Sequence, residues 1–198
     1  MQGVLLGLTL VAVAAAVPAD PLQADGANAR VVAAHASGVL AGMRLGAALL
    51  WPADYGPQGL GAAPAHLGAA LTHLPEFRRD RPLLESDGDP WAINVFGHAA
   101  FGSDIYLRAR QCGSSAAGAL AWTAGASVAW EYALEGPVKR PSAIDLAWTP
   151  LVGGLLLGEL RFELHRWLGR GEPGALRRAL RAAVDPLGTL ERAAGARC

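Results

Sequence analysis

The sequence predicts an all-α protein: a compact, Gly/Ala-rich helical bundle that is membrane-associated or partly membrane-embedded. Long runs of alanine, leucine and valine are separated by clusters of proline and glycine, and no segment of useful length alternates as a half-buried strand would. Hydrophobic residues make up 52% of the 198-residue chain and charged residues 17%, a balance shifted from an average soluble domain towards a membrane-associated one. This length suits one domain with a substantial core.

The charge pattern does not predict a nucleic-acid-binding protein. The formal net charge is zero, and the basic residues near the C-terminus fit the polar face of a short helix. A membrane or an envelope lipid is the expected partner. The sequence identifies no protein partner and no cofactor.

Residues 1–19 are expected to be a signal peptide or an N-terminal anchor. An apolar run ends in small residues, and cleavage after Ala16 or Ala19 fits the usual pattern, although a basic n-region is missing. Export would permit a disulfide. Cys112 and Cys198 are the only cysteines, with neither metal-ligand spacing nor a CxxC pair, and the sequence leaves open whether they pair.

Residues 20–88 are predicted to form a helix followed by an irregular connection rich in proline and glycine. The helix should run from Asn28 to Leu50, because this stretch is Ala-, Leu- and Val-rich and lacks proline. The segment WPADYGPQGLGAAP should be a loop, and the charges and prolines up to Glu85 suit an exposed connection. We expect little chemistry in this region.

Residues 89–195 are predicted to form a helical domain. Asp89 followed by Pro90 is a helix start signal, and the first helix should continue through residue 111. A second helix should run from about Ser114 to Glu135, where Gly136 and the following proline stop it.

A third helix should begin at Ser142, which resembles the start of a capping box with Asp145, and continue to about Leu168. Pro150 falls inside it, so either the helix kinks there or Thr149 caps a fresh start. A short basic amphipathic helix should follow and end at residues 185–186. Four glycines of these helices should lie where neighbouring helices approach closely, namely Gly118, Gly125, Gly153 and Gly154.

Polar residues recur at helical spacing on all three helices of this domain. Asn94 and His98 share one face, Glu131 and Glu135 share another, and the third helix carries Asp145, Thr149, Glu159 and Glu163. Because the surrounding sequence is apolar, we expect the stripes to face one another. His98, Glu131, Glu135 and Asp145 are therefore the candidate catalytic residues.

Each candidate also has a structural interpretation. His98 could be an ordinary interior histidine, and Ser142 with Asp145 could be only a helix cap. Glu131 follows a long uncharged run, so it should be partly desolvated with a raised pKa, unless Lys139 or Arg140 pairs with it. His98 with two or three carboxylates could hold a divalent metal, but the usual short-range histidine spacing is missing.

The segment from Asp89 onward resembles an uncharacterised bacterial family, domain of unknown function 3943. The resemblance lies in DPWAINVFGHAAFGSDIYLRAR, SVAWEYALEGPVKRPSAIDLAWTPLVGGLLLGE and DPLGTLER. It implies that one pattern contains Asn94, His98, Tyr106, Arg110, Glu131, Glu135, Ser142, Asp145, Thr149, Gly153 and Glu159. In that family a proline follows the histidine, whereas this chain has Ala99. The resemblance implies an exported or envelope protein, and a similar layout in VanZ-like small membrane proteins implies a membrane setting.

Two hypotheses for the function follow. In the first, the polar cluster fixes helix packing in a structural or scaffold protein of the bacterial cell envelope. In the second, the protein is a hydrolase or transferase of an envelope lipid or glycan, with His98 and Glu131 as acid and base or as metal ligands. No nucleophile motif is present, which favours the scaffold. A cluster open to a pocket would favour the enzyme, and a sealed, fully paired cluster the scaffold.

Overall fold

The computed structural model describes residues 28–56, 61–89, 91–170 and 174–198. The predicted signal peptide and Pro90 lie outside these ranges. The described helices are α1 (Ala29–Leu50), α2 (Pro52–Tyr55), α3 (Ala63–Thr72), α4 (His98–Gln111), α5 (Ala116–Ala129), α6 (Ala143–Trp148), α7 (Glu159–Gly169), α8 (Ala175–Val184) and α9 (Pro186–Ala193). The described residues contain no β-strand, only one isolated bridge between Glu76 and Ser142, so the all-α prediction is confirmed.

Wide helical turns of π type join or extend several of these helices. Ile93–Gly97 leads into α4, Trp130–Glu135 extends α5, and Thr149–Gly158 joins α6 to α7. The last of these turns contains Pro150, which lacks an N–H and breaks the ordinary hydrogen-bond pattern. Thr149 keeps helical backbone angles, so the helix continues through the proline without a fresh start.

Helix α4 is the centre of the bundle. It packs most extensively against the Thr149–Gly158 segment, then against α5, and α1 covers it from a further side. Its buried residues include apolar Ile105 and Leu107 and also charged Arg108 and Arg110. A central helix with buried charges requires a partner for each charge from its neighbours.

Close helix approach depends on glycines of α4 and of the Thr149–Gly158 segment. A Cβ on Gly102 would overlap the carbonyl oxygen of Thr149, and one on Gly153 would lie 2.9 Å from the carbonyl oxygen of Ala99. Gly154 would meet Thr123 at 3.1 Å, so the predictions for Gly153 and Gly154 are confirmed.

The predictions for two glycines of α5 are wrong. A Cβ on Gly125 would meet nothing within 4 Å, and one on Gly118 would meet only Ser114 and Ser115 at the start of its own helix. Small residues on α5 therefore do not all mark a helix contact. The helix begins with an N-cap at Ser115, whose side chain accepts a hydrogen bond from the N–H of Gly118.

The region after α1 is more helical than predicted. The Pro/Gly cluster expected to be a loop contains α2, which begins with a proline at its first position, and α3 follows at Ala63. The chain from His73 to Asp89 is irregular apart from the short 3₁₀ turn Leu83–Glu85, as the charges and prolines there predict.

The C-terminal segment is tied back to the bundle. Cys112 and Cys198 form a disulfide, which settles the pairing that the sequence leaves open. His35 of α1 lies between Asp104 of α4 and Glu191 of α9, with its ring nitrogens 3.2 and 2.7 Å from their oxygens. The disulfide and the ion pairs of His35 thus join the C-terminal segment to α4 and to α1.

Two helices among the described residues pass a length and hydropathy test for crossing a membrane. They are Ala29–Leu50 and the continuous helix Ala143–Gly169. The core helix of a soluble protein and a signal sequence pass the same test, but a core helix is mostly buried. Here 22% and 39% of the residues in the apolar windows are buried, and the others are partly or fully exposed.

Gly102→Ala tests the central packing. The added methyl group overlaps the carbonyl oxygen of Thr149, so we expect a loss of about 1–3 kcal/mol in the free energy of unfolding. Gly125→Ala is the matched control, where helix propensity predicts a gain of up to about 1 kcal/mol. Urea unfolding measures both, and equal effects of the two substitutions would contradict the packing described.

The ion pairs of His35 with Asp104 and Glu191 predict that the stability of the protein depends on pH. Burial lowers the pKa of His35, but hydrogen bonds and charge from Asp104 and Glu191 outweigh it and raise the pKa above 6.5. Each carboxylate also has an arginine partner: Arg108 lies 2.6 Å from Glu191, and Arg161 lies 2.7 Å from Asp104. The stabilisation is therefore present below about pH 6.5 and is lost as pH rises through the folded-state pKa.

We expect His35→Gln to remove this part of the stability. The difference in free energy of unfolding between native protein and variant should shrink as pH rises above about 6.5. Exposed His73→Gln serves as the control. A difference that stays constant or grows with pH would contradict protonation of His35 in the folded protein.

Candidate functional site

Three buried side chains from three helical segments meet in the interior. We call them the central cluster: His98 at the start of α4, Glu131 in the wide turn after α5, and Asp145 in the first turn of α6. Each is at most 2% exposed, and one ligand-type atom of each lies within 4.8 Å of the others. The predicted convergence of these three residues is seen in the structure.

Glu131 fixes the start of α6. Its Oε2 accepts a 2.6 Å hydrogen bond from the backbone N–H of Ser142, and the side chain of Ser142 accepts one from the N–H of Asp145. The predicted cap at Ser142 therefore forms. In a capping box the third residue would bond back to the cap N–H, but here Glu131 from the preceding helix does so.

Glu131 Oε1 has no hydrogen-bond partner within the described residues. Burial raises the pKa of Glu131 well above its usual range, and the charges of Glu135 and Asp145 raise it further. The sequence predicted this direction. Neither Lys139 nor Arg140 pairs with Glu131: Lys139 contacts Glu135 and Asp89, and Arg140 donates to the carbonyl of residue 74.

His98 is held by one polar contact and two aromatic ones. Its Nδ1 lies 3.0 Å from Thr149 Oγ1, and its ring meets Phe101 and Trp130 edge to face. Its Nε2 faces the carboxylates and lies 3.5 Å from Asp145 Oδ2. Burial, together with the charge of Lys139, lowers the pKa of His98 to about 3, so the ring is neutral near pH 7.

Asp145 is the least satisfied member of the cluster. Neither of its oxygens has a hydrogen bond of good geometry among the described residues, although Asp87 and the hydroxyl group of Ser142 lie close to it. Burial raises its pKa to about 9, and so does a neighbouring carboxyl group, Asp87, with which it can share a proton. Burial alone would also raise the pKa of Asp87, but hydrogen bonds from Asp145, Ser142 and Asn94 lower it to about 2.

The predicted residue Asn94 acts through Asp87. Its Nδ2 donates to both oxygens of Asp87, at 2.9 and 3.1 Å, and to the carbonyl of Leu84. The side chain of Asn94 is fully buried. It therefore holds the irregular segment before α4 against the central cluster.

Glu135 lies beside the central cluster in a second polar group, which includes Tyr55, Lys139 and Asp89. Tyr55 donates a 2.5 Å hydrogen bond to Glu135 Oε1, Lys139 Nζ lies 2.9 Å from the same oxygen, and Lys139 also pairs with Asp89. Burial raises the pKa of Glu135 although the charge of Lys139 opposes this. Glu135 thus has its own cation and does not join His98 directly.

Two cavities border these groups. The first is apolar, has a volume of about 520 Å³ and reaches His98 and Glu135. The second, about 590 Å³, is polar and reaches Asp87, Asp89 and Lys139. Tyr55 and Ile93 line both cavities, so the two adjoin there. Of the central cluster, His98 lines the apolar cavity, whereas Glu131 and Asp145 line neither.

The remaining predicted residues form a separate ion pair or a helix contact. Arg110 donates two hydrogen bonds to Glu159, at 3.0 and 3.2 Å. Burial raises the pKa of Tyr106, and the neighbouring Glu159 raises it further. Gly153 lets its segment pass within contact of the backbone at His98. Arg110 and Glu159 therefore stabilise the bundle, and their partners are not in the central cluster.

Comparison with known families gives one match. Residues 84–187, just over half of the chain, match the family described as domain of unknown function (DUF3943). The chain belongs to the DUF3943 family. Comparisons with curated proteins and with solved structures found no match.

The sequence did not predict two residues of the site in this DUF3943 protein, Tyr55 and Asp87. Both lie in residues 20–88, where little chemistry was expected. Tyr55 sits in the Pro/Gly cluster at the end of α2, outside the matched residues. Asp87 precedes the domain start predicted at residue 89. The SDGD stretch offered a signal, because two acids around a glycine form a tight turn that presents carboxylates.

Lys139→Met tests the second polar group. The substitution leaves buried Glu135 without its cation, so we expect a loss of about 3–5 kcal/mol in the free energy of unfolding. Arg140→Met is the matched control, because Arg140 donates only to an exposed backbone carbonyl and should cost less than about 1 kcal/mol. Urea unfolding measures both, and similar losses would show that Lys139 does not neutralise Glu135.

Proposed function

We propose that this DUF3943 protein is a membrane-associated hydrolase or transferase of the bacterial cell envelope that acts on a lipid or a lipid-linked glycan. One observation carries the proposal: His98 lines an apolar cavity that adjoins a polar one, and behind it lie Glu131 and Asp145, with carboxyl oxygens that lack a hydrogen bond within the described residues. A scaffold needs no such access, because its polar groups are most stabilising when fully paired and sealed.

The apolar cavity suits a hydrocarbon chain. Its volume falls within the range of about 300–1,000 Å³ that is usual for ligand sites, and its lining is almost wholly apolar. Leu50, Trp51 and Phe96 line it and are also exposed at the surface, at 70%, 40% and 64%. A chain could therefore enter from a membrane that covers this surface.

The polar cavity suits the head group of the same substrate. Its lining includes cationic Arg78, Arg81 and Lys139 together with Asp87 and Asp89. A molecule that filled both cavities would have its chain–head junction near Tyr55 and Ile93, with His98 on the apolar side. We assign activation of the attacking water or acceptor to His98, supported from behind by Glu131 and Asp145.

Two features support an envelope location. The apolar helices Ala29–Leu50 and Ala143–Gly169, neither of which is mostly buried, fit association with a membrane. The Cys112–Cys198 disulfide fits an oxidising compartment outside the cytoplasm. The N-terminal signal peptide that the sequence predicts would deliver the chain there.

The scaffold remains the competing hypothesis because part of the cluster does fix packing. Glu131 holds the N–H of Ser142, Thr149 holds His98, and Asn94 holds Asp87. Under this hypothesis, function and stability fall together when a member of the cluster changes. Under the proposed function they separate.

Glu131→Gln separates the two hypotheses. The amide oxygen can still accept from the N–H of Ser142, so the helix start is retained while the carboxylate is lost. We expect native-like thermal unfolding and loss of the lipid change that the native protein produces. The measurement is mass spectrometry of envelope lipids from cells lacking the protein, complemented with native protein or with the variant.

Glu163→Gln is the matched control, because Glu163 pairs with Arg166 near the surface. It should preserve both the lipid profile and the melting temperature. A Glu131→Gln variant whose activity and melting temperature fall in proportion would support the scaffold. Identical lipid profiles with and without the native protein would overturn the proposed function.

A further inference from the structure

We infer that the central cluster is a binding site for one divalent transition-metal ion of the zinc type, with His98 Nε2, Glu131 Oε1 and one oxygen of Asp145 as its protein ligands. The inference rests on the arrangement of these atoms and not on the proposed activity. It can therefore be tested by binding alone.

The donor atoms have the spacing that a metal ion needs. One ligand atom of each of the three residues lies within 4.8 Å of those of the other two, and His98 Nε2 is 3.5 Å from Asp145 Oδ2. Two ligands bonded at about 2.1 Å in tetrahedral geometry are separated by about 3.4 Å. Small side-chain movements would bring the three atoms onto one ion.

Two of the three ligand residues have oxygens without a well-formed hydrogen bond. Glu131 Oε1 and both oxygens of Asp145 are buried and have no hydrogen-bond partner of good geometry within the described residues, although Asp145 can share a proton with Asp87. Buried carboxylate oxygens of this kind are costly unless a cation or a donor satisfies them. A divalent cation would satisfy Glu131 Oε1 and one oxygen of Asp145 together.

The surrounding contacts orient the ligands as outer-shell partners do in metal sites. With Nδ1–H donated to Thr149 Oγ1, the lone pair of His98 Nε2 faces the carboxylates. The N–H of Ser142 holds Glu131 Oε2, which turns Oε1 inward. His98 is thus oriented through Nδ1 and Glu131 through Oε2, the atoms that would not bind the metal.

A second acidic group, Asp87, Asp89 and Asp145, has similar spacing but carries less weight. Lys139 already neutralises Asp89, and Asn94 donates to both oxygens of Asp87. The group also lacks a histidine. Its position next to the central cluster makes Asp89 a useful control.

The ligand set selects the kind of ion. One imidazole and two carboxylates suit zinc, manganese or iron(II), whereas calcium takes six to eight oxygen ligands. Three protein ligands also leave one tetrahedral position open, as in catalytic zinc sites. Zn²⁺ is therefore the probe for binding and Co²⁺ the probe for coordination.

The experiment loads the purified, chelator-treated full chain with Zn²⁺, removes free metal and measures bound zinc by elemental analysis and titration calorimetry. We expect one equivalent in the native protein. His98→Gln and Asp145→Asn should weaken binding by at least about 100-fold, since loss of an outer-shell partner alone costs about 10–100-fold. Asp89→Asn should retain the native stoichiometry, and Thr149→Val should weaken binding by about 10–100-fold.

Spectroscopy of the native protein keeps the test independent of variant folding. Co²⁺ should give the visible absorption of a low-coordinate site, and X-ray absorption of the zinc form should show one imidazole among oxygen donors. Absence of stoichiometric zinc in the native protein, or bound zinc without imidazole scattering, would overturn the inference. Loss of zinc from Asp89→Asn with retention in His98→Gln would overturn it as well.

Discussion

The hydrogen bond from the backbone N–H of Ser142 to the carboxylate of Glu131 determines where the helices of this domain meet. It joins the Trp130–Glu135 turn at the end of α5 to the start of α6, across residues 136–141. The first N–H groups of a helix have no partner within it, so a buried helix start must find acceptors elsewhere. Glu131 supplies one, and with it the chain places Asp145 and Thr149 opposite His98.

That arrangement explains why so many charges are tolerated in an apolar bundle, although not all for the same reason. Arg110 with Glu159, and Lys139 with Glu135 and Asp89, are compensated by opposite charge. Glu131 Oε1 and Asp145 are not, within the part of the chain described. Proteins tend to keep an uncompensated buried group where function requires it, at a cost in stability. The contrast separates the structural charges from the candidate site.

The sequence predicted the helices well because their signals are local. Proline-free apolar runs, the cap at Ser142 and the stop at Gly136 depend only on neighbouring residues, and helical spacing was enough to bring together His98, Glu131 and Asp145. Two partners were not predictable in this way: Tyr55, which donates to Glu135, and Arg110, which pairs with Glu159. Both are distant in sequence from the residues they contact, and pairing at that distance depends on the packing of whole helices.

The same limit explains the errors at Gly118 and Gly125. Both glycines satisfy the local pattern for close packing, but contact also requires a neighbouring helix on that side, which spacing along one helix cannot reveal. The irregular segment with Asp87 was missed for a related reason. Its role depends on a bridge between Glu76 and Ser142 and on the side chain of Asn94, and both are tertiary contacts.

The most direct test of the account is the thermal unfolding of Asp145→Asn in metal-free buffer. Asparagine keeps the shape of the side chain, and its amide can donate to Asp87, so removal of an underbonded carboxylate should leave the melting temperature equal to the native value or higher. A fall equivalent to about 3–5 kcal/mol, as expected when one partner of a satisfied buried pair is removed, would contradict it. Asp145 would then be a structural residue, and the cluster would not be held for a ligand or a reaction.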